Sequence, residues 1–361
     1  MRHSYGIMPY YFNIEELTFE EFRALAKVSQ EVRSKRYMVD QYPGPGVAAS
    51  KCDMQWWEEL VVVMVLGFTV PGCVISVPLL LTVVGWLFGN MRLVWGIGGL
   101  VITTLCFVPA PFREEALSSW LCYLILKYFS FKAVMDEVRV NNRPAIKVAP
   151  PHGVFPYGNL LTMAAYPSLY GFSFKGLAAS AAVTIPIFKH CLSTIGVISA
   201  SSESATKALE KGLTIGISTG GVSEVFETNA SENEEVIVLK GRKGLIKLAM
   251  KTGSELLPCY LFGNTQLFSL YSGGPLHSSL RTLSRKIGFA LILFWGRFGL
   301  PIPYREPIFG VMGKAIPVVK NPNPADEEVN ALHKRLCDDM VQLFDKHKAS
   351  YGWEHKKLVI E

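Results

Sequence analysis

Pro150-Pro151-His152-Gly153 directly follows Ala145 to Val148, a short apolar run that reads as a buried strand. Loops at strand ends are where α/β folds present reactive groups, and an imidazole there can act as a base near neutral pH. In acyl transfer to an alcohol, His152 would take the hydroxyl proton as the oxygen attacks the carbonyl carbon. Gly153 would permit close approach of a substrate and aim its backbone N–H at a developing oxyanion. The same four residues also fit a turn histidine whose ring is satisfied locally.

A second constellation is Thr214-Ile-Gly-Ile-Ser-Thr-Gly-Gly-Val-Ser-Glu224, a strand, a glycine pair and a carboxylate. Gly220 and Gly221 could form a tight turn with exposed N–H groups, a nest for anionic oxygen, with Glu224 orienting the histidine or the alcohol. A strand-to-helix turn whose Glu stabilises a helix N-terminus reads equally well. Gly216-Ile-Ser218-Thr-Gly220 also matches the G-x-S-x-G elbow of α/β-hydrolases, with Ser218 as nucleophile and His347 completing a triad. That elbow should launch a long helix, whereas Glu227 to Glu235 reads as an acidic surface loop.

Lys240-Gly-Arg242-Lys243, with Lys247 following, gathers cations at the start of a helical run, a setting that suits phosphates and equally a solvated helix face. Arg297 and Arg305 are weaker candidates of the same kind. Seven scattered cysteines form no metal-spaced pair with histidines, so no metal site is expected and the thiols read as reduced. No P-loop, dinucleotide fingerprint, H-E-x-x-H or EF-hand occurs, and a net charge of +6 is too dispersed to imply nucleic acid.

The elements that must position these residues alternate between short apolar runs and helical patterns, the mark of an α/β domain. Further strands are expected at Leu213 to Ile217 and Leu256 to Leu261, and helices at Glu114 to Tyr128, Ser204 to Lys211 and Arg242 to Lys251. A last amphipathic helix after Asn321-Pro-Asn-Pro324 places Val329, Leu332, Leu336, Met340 and Leu343 on one face. Near the start, Asn13 to about Arg36 reads as an exposed amphipathic helix opened by a Thr18/Glu21 capping box. Hydrophobic residues make up 50% of the chain, charged residues 18%, and mean hydropathy is +0.26, more apolar than a soluble enzyme of this size needs. The excess lies in Leu60 to Phe88 and Leu93 to Val108, separated by Arg92 and interrupted by Pro71-Gly72 and Pro78. Each could span or deeply enter a bilayer, the first being long enough for a span and the second marginal without its flanks. The start carries no secretory-signal pattern. The expected organisation is a cytosolic segment 1–58, a membrane-embedded hairpin 59–112 and a catalytic domain 113–361.

In order, the motifs resemble those of the type-2 diacylglycerol acyltransferase family, within the wider group of glycerolipid acyltransferases. Pro151-His152-Gly153 looks like its P-H-G, Pro186-Ile-Phe-Lys189 its P-x-x-R, Gly220 to Glu224 its G-G-x-x-E, and Leu239 to Ala249 its basic R-K-G helix. Ile287 to Ala290, Gly296-Arg297, Gly313 to Pro317 and Leu343 to Lys348 continue the series. The wider group's H-x-x-x-x-D is absent, since the corresponding position is Tyr157, so Glu224 is taken as the carboxylate that serves His152.

The resemblance implies a mixed α/β sheet flanked by helices behind a helical membrane hairpin. It implies acyl-CoA as co-substrate without a tightly bound cofactor, diacylglycerol as acceptor, and direct transfer centred on His152. Monoacylglycerol or wax-alcohol transfer are variants within the family, and a Ser218 lipase or a non-catalytic lipid-droplet anchor are the other classes. Lys189, Arg242, Lys243 and Arg297 would bind coenzyme A. The endoplasmic reticulum membrane, with the catalytic domain facing the cytosol, and lipid droplets are the implied locations, in contact with membrane lipid. Whether the chain self-associates as a homo-oligomer stays open.

Overall fold

The computed structural model describes residues 9–69, 71–137, 143–171, 173–226, 233–287 and 290–361. Its strands are β1 (Tyr10–Asn13), β2 (Lys132–Met135), β3 (Ala145–Val148), β4 (Lys175–Ala178), β5 (Val197–Ser199), β6 (Ile215–Ile217), β7 (Glu234–Ile237), β8 (Glu255–Phe262), β9 (Ser269–Leu270), β10 (Phe294–Trp295), β11 (Phe309–Met312) and β12 (Lys357–Ile360). Eight of them form one mixed sheet in the order β1-β2-β11-β8-β3-β6-β4-β5. From β8 to β5 every pairing is parallel, while β11 runs antiparallel to β8.

The helices are α1 (Phe19–Leu25), α2 (Gln30–Tyr37), α3 (Trp56–Phe68), α4 (Cys73–Leu87), α5 (Met91–Phe107), α6 (Glu114–Leu117), α7 (Trp120–Tyr128), α8 (Tyr157–Tyr170), α9 (Pro186–Thr194), α10 (Ser202–Glu210), α11 (Gly221–Val225), α12 (Lys243–Thr252), α13 (Gly274–Ile287) and α14 (Asp326–His347). They cover both faces of the sheet. On one side α1, α7 and α8 bury Phe22, Leu124 and Leu161 against it; on the other α10, α12 and α14 bury Leu209, Ile246 and Met340. Strand β8 shows why two cores form, because side chains alternate across a pleated strand. Leu257, Cys259 and Leu261 enter the first core, and Leu256, Tyr260 and Phe262 the second. With both faces covered, the central strands are continuous apolar runs, the feature that made β3 and β8 readable. Lys147 of β3 is the exception: its ammonium lies over the rings of Phe174 at 4.9 Å and Tyr166 at 5.5 Å, and burial pushes its pKa down to about 8.

Several boundaries differ from the sequence reading. The N-terminal helix expected from Asn13 to about Arg36 is instead β1 followed by two separate helices, α1 and α2. The Thr18/Glu21 capping box is present and opens α1, yet Phe22 and Leu25 are buried in the core, so this face packs inward. The helix expected at Glu114 to Tyr128 breaks at Ser118-Ser119, because the Ser119 hydroxyl accepts from the Cys122 N–H and starts a new helix, α7. Gly253, in the left-handed region with φ +71°, ends α12 as expected. The acidic loop expected over 227–235 lies outside the described residues as far as 232, as does the middle of the 287–290 block.

The long apolar segment is three helices. The axes of α3 and α4 are bent by 92° relative to one another. A side chain at Gly72 would meet the Gly67 carbonyl oxygen at 2.4 Å, so that corner needs a glycine. Helices α4 and α5 then form a close hairpin, where a side chain at Gly98 would meet Leu81 at 2.7 Å. Among the described residues no single helix is long and apolar enough to cross a membrane, although the bent α3–α4 pair passes by length and composition.

Candidate active site

Three neighbouring parallel strands, β8, β3 and β6, end on the same edge of the sheet and deliver three loops to one place. In parallel sheets the crevice beyond the carboxyl ends of the strands is where ligands bind. The loop after β3 carries His152, the loop after β6 carries Gly220 to Glu224, and the loop after β8 carries Asn264. The Ala149 N–H donates to the Ile217 carbonyl at 2.9 Å, tying the first two loops at their roots.

His152 is partly buried. Its Nδ1 lies 2.9 Å from the Gly153 carbonyl oxygen. A carbonyl only accepts, so Nδ1 carries the proton and Nε2 is left with its lone pair, the tautomer a general base needs. Burial pushes the imidazole pKa below its ordinary value, partly offset by the bond to Gly153, so the ring is neutral at pH 7. This geometry requires Gly153 to adopt φ +62°.

Glu224 is 1% exposed. Its carboxyl folds back over Gly220, where a side chain would meet Glu224 Oε2 at 1.7 Å. Burial pushes its pKa up to about 8, against the lowering effect of the backbone N–H groups of His152 and Gly220 and of Arg242 nearby. Glu224 therefore reaches His152 through the main chain, and the group that orients the ring is the Gly153 carbonyl. Of the glycine pair, the one that remains partly exposed is Gly221, at φ +52°. Arg242 donates to the Gly220 carbonyl at 2.8 Å and holds the turn from its other side. Lys243, the next residue, is exposed.

The remaining cations are engaged elsewhere. Lys189 Nζ donates to the carbonyls of Cys106 at 3.0 Å and Val108 at 2.9 Å, and the His190 ring to that of Leu105 at 3.1 Å, so α9 caps the C-terminus of α5. Arg297 pairs with Glu59, which Arg305 also contacts at 3.1 Å, and Lys127 lies 3.0 Å from Glu58. These pairs anchor the foot of α3.

The hydrolase-like triad is not assembled. Ser218 Oγ is buried without a hydrogen-bond partner among the described residues. His347 is fully buried and pairs through Nε2 with Asp136 at 3.1 Å. Burial alone would raise the Asp136 pKa, but His347 and Lys346 outweigh it and hold the carboxyl down at about 2. Among the described residues no group of three or more His, Cys, Asp or Glu side chains is placed to hold a metal.

Sequence reasoning missed Asn264, Glu235 and Lys356. Glu235 is 2% exposed and takes Lys356 Nζ at 2.7 Å and the Thr265 hydroxyl at 3.2 Å, so one buried carboxylate with its counter-ion backs the other. The available signal was Gly263-Asn264-Thr265 closing a buried strand.

The family model described as diacylglycerol acyltransferase matches residues 94–361. The chain is 34% identical over 267 residues to 2-acylglycerol O-acyltransferase 1 of Bos taurus, covering 69% of this chain and 78% of that one. It is 31% identical over 282 residues to diacylglycerol O-acyltransferase 1 of Eremothecium gossypii, covering 70% and 59%. A solved 1-acyl-sn-glycerophosphate acyltransferase, PlsC from Thermotoga maritima, aligns over 82% of this chain and 100% of that one, with a TM-score of 0.39 and 15% identity, too loosely to transfer any residue's role.

Proposed function

The chain belongs to the diacylglycerol acyltransferase family and is an acyltransferase, and from that premise we propose that it moves a fatty acyl group from acyl-CoA to the free hydroxyl of diacylglycerol, forming triacylglycerol. The observation that carries the reading is the His152 ring, with Nδ1–H on the Gly153 carbonyl and a basic Nε2. Nε2 removes the hydroxyl proton as the alcohol oxygen attacks the thioester carbon. Backbone N–H groups near Gly153 or Gly221 steady the oxyanion. The carbon–sulfur bond then breaks, and the proton passes from the imidazolium to the departing thiolate, giving ester and free coenzyme A. Glu224 supports this by fixing the His152 main chain. Arg242 and Lys243 would face the coenzyme phosphates, whereas Lys189 and Arg297 act as struts for the apolar helices.

We further propose that α4 and α5 embed in a bilayer, with the catalytic domain on the cytosolic face of the endoplasmic reticulum or on lipid droplets. The support is the exposure of Trp86 at 76%, Phe88 at 78% and Phe107 at 83%, apolar surface that water would disfavour. Diacylglycerol would then reach His152 from within the lipid.

A second reading, monoacylglycerol as acceptor, is favoured by the 34% identity to a 2-acylglycerol acyltransferase. The test is transfer from labelled oleoyl-CoA in microsomes of a yeast host lacking triacylglycerol synthesis, with diacylglycerol, monoacylglycerol or a long-chain alcohol supplied in turn. Triacylglycerol made by wild type and Ser218→Ala but not His152→Ala is the expected result. Product only with monoacylglycerol would replace the acceptor, and full activity in His152→Ala would refute the base.

A further inference from the structure

We propose that Asn264 is a positioning residue for the transfer, a side chain that holds both carbonyls flanking the His152 base; this rests on His152 being that base. Asn264 is 1% exposed and all of its polar capacity toward the site is used. Nδ2 donates to the Pro151 carbonyl at 3.0 Å and to the His152 carbonyl at 2.8 Å, and Oδ1 accepts from the Gly158 N–H at 2.8 Å. The amide thus ties the loop that carries the base to the first turn of α8. Neighbouring carbonyls have independent holders: Asn159 Nδ2 donates to Ala149 at 3.0 Å, and the Leu261 N–H to Pro150 at 3.0 Å. Among the described residues, the Pro151 and His152 carbonyls take their hydrogen bonds from Asn264.

No other side chain does this in the same space. Aspartate would keep the acceptor for Gly158 but set oxygen against two carbonyl oxygens, and glutamine would be a methylene too long for a buried site. Asn264 is itself held rigidly. It follows Gly263, at φ +84°, where a side chain would meet the Pro307 carbonyl oxygen and the Tyr351 hydroxyl, each at 2.2 Å. Without the amide, the His152 and Pro151 carbonyls are left unsatisfied in a buried loop, and the loop turns to find other donors. The ring then leaves its attack geometry while the exposed cations that would meet coenzyme A stay in place.

The test compares wild type, Asn264→Ala, Asn264→Asp and His152→Ala as full chains in microsomes, measuring initial rates against oleoyl-CoA concentration with diacylglycerol saturating. Both Asn264 variants should lose kcat by about 100-fold, the usual cost of roughly 1 Å of misplacement. KM for oleoyl-CoA should stay within about twofold, a split that general loosening of the fold would not give. Should Asn264→Ala fail to accumulate, Asn264→Asp, of the same size and still bonded to Gly158, decides. A kcat within about threefold of wild type in Asn264→Asp, or a KM that rises as far as kcat falls, overturns the proposal. Activity lost in His152→Ala but kept in the Asn264 variants refutes the role of Asn264 alone, whereas activity kept in His152→Ala refutes the base and this inference with it.

Discussion

Replacing Gly153 with alanine perturbs the proposed base without touching its ring. Gly153 adopts φ +62°, a conformation that costs an L-residue about 1–2 kcal/mol. The added methyl would also stand 2.7 Å from the Asn264 carbonyl oxygen and 3.0 Å from its Nδ2, where ordinary contact begins at 3.4 Å. The first of these is backbone two residues beyond the end of β8 and tightly held, so the histidine loop must move by several tenths of an ångström. A shift of that order costs a positioned catalytic group about 10-fold to 100-fold in rate. Gly153→Ala should therefore fold, with stability lowered by about 1–3 kcal/mol, since a positive-φ strain and one clash rarely cost more. Its kcat for oleoyl transfer should fall by about 10–100-fold, with KM for oleoyl-CoA little changed. The assay is steady-state transfer in microsomes alongside thermal denaturation of the detergent-solubilised protein. A variant that keeps wild-type kcat would show that the tight turn at 152–153 is incidental to chemistry.

Glu224 titrates at about 8 in the folded chain against 4.5 for an ordinary glutamate, so the native state holds a proton that the unfolded chain releases. Its contribution to stability is full below pH 4.5 and disappears as pH rises through 8. Glu224→Gln, which cannot ionise, should flatten the decline of the thermal midpoint across that window, and an unchanged slope would contradict the raised pKa. Lys189→Ala removes a cationic cap from the last turn of α5, a loss of about 1 kcal/mol. Limited proteolysis near residues 105–112 should quicken while KM for oleoyl-CoA stays within about twofold; a tenfold rise in KM would return Lys189 to the coenzyme.

The sequence by itself determined the central strands, the C-terminal helix and the loop that presents His152. Strands covered on both faces must be apolar throughout, as Ala145–Val148 and Leu256–Leu261 are, and an amphipathic period such as Val329, Leu336, Met340 and Leu343 marks a helix wherever it packs. The ordered blocks from Pro151-His152-Gly153 to Leu343-Phe-Asp-Lys-His-Lys348 were enough to identify the family. What a cation does was not legible in this way. Lys189 and Arg242 carry the same charge, yet one caps an apolar helix 83 residues earlier in the chain and the other braces the Gly220 turn. Nor could the sequence show that Glu224 approaches His152 through the backbone, or that Asn264 holds the loop from 112 residues away. Burial patterns repeat along the chain and can be read locally. Hydrogen-bond partners are fixed by which strand ends lie side by side, and only the order of the sheet decides that.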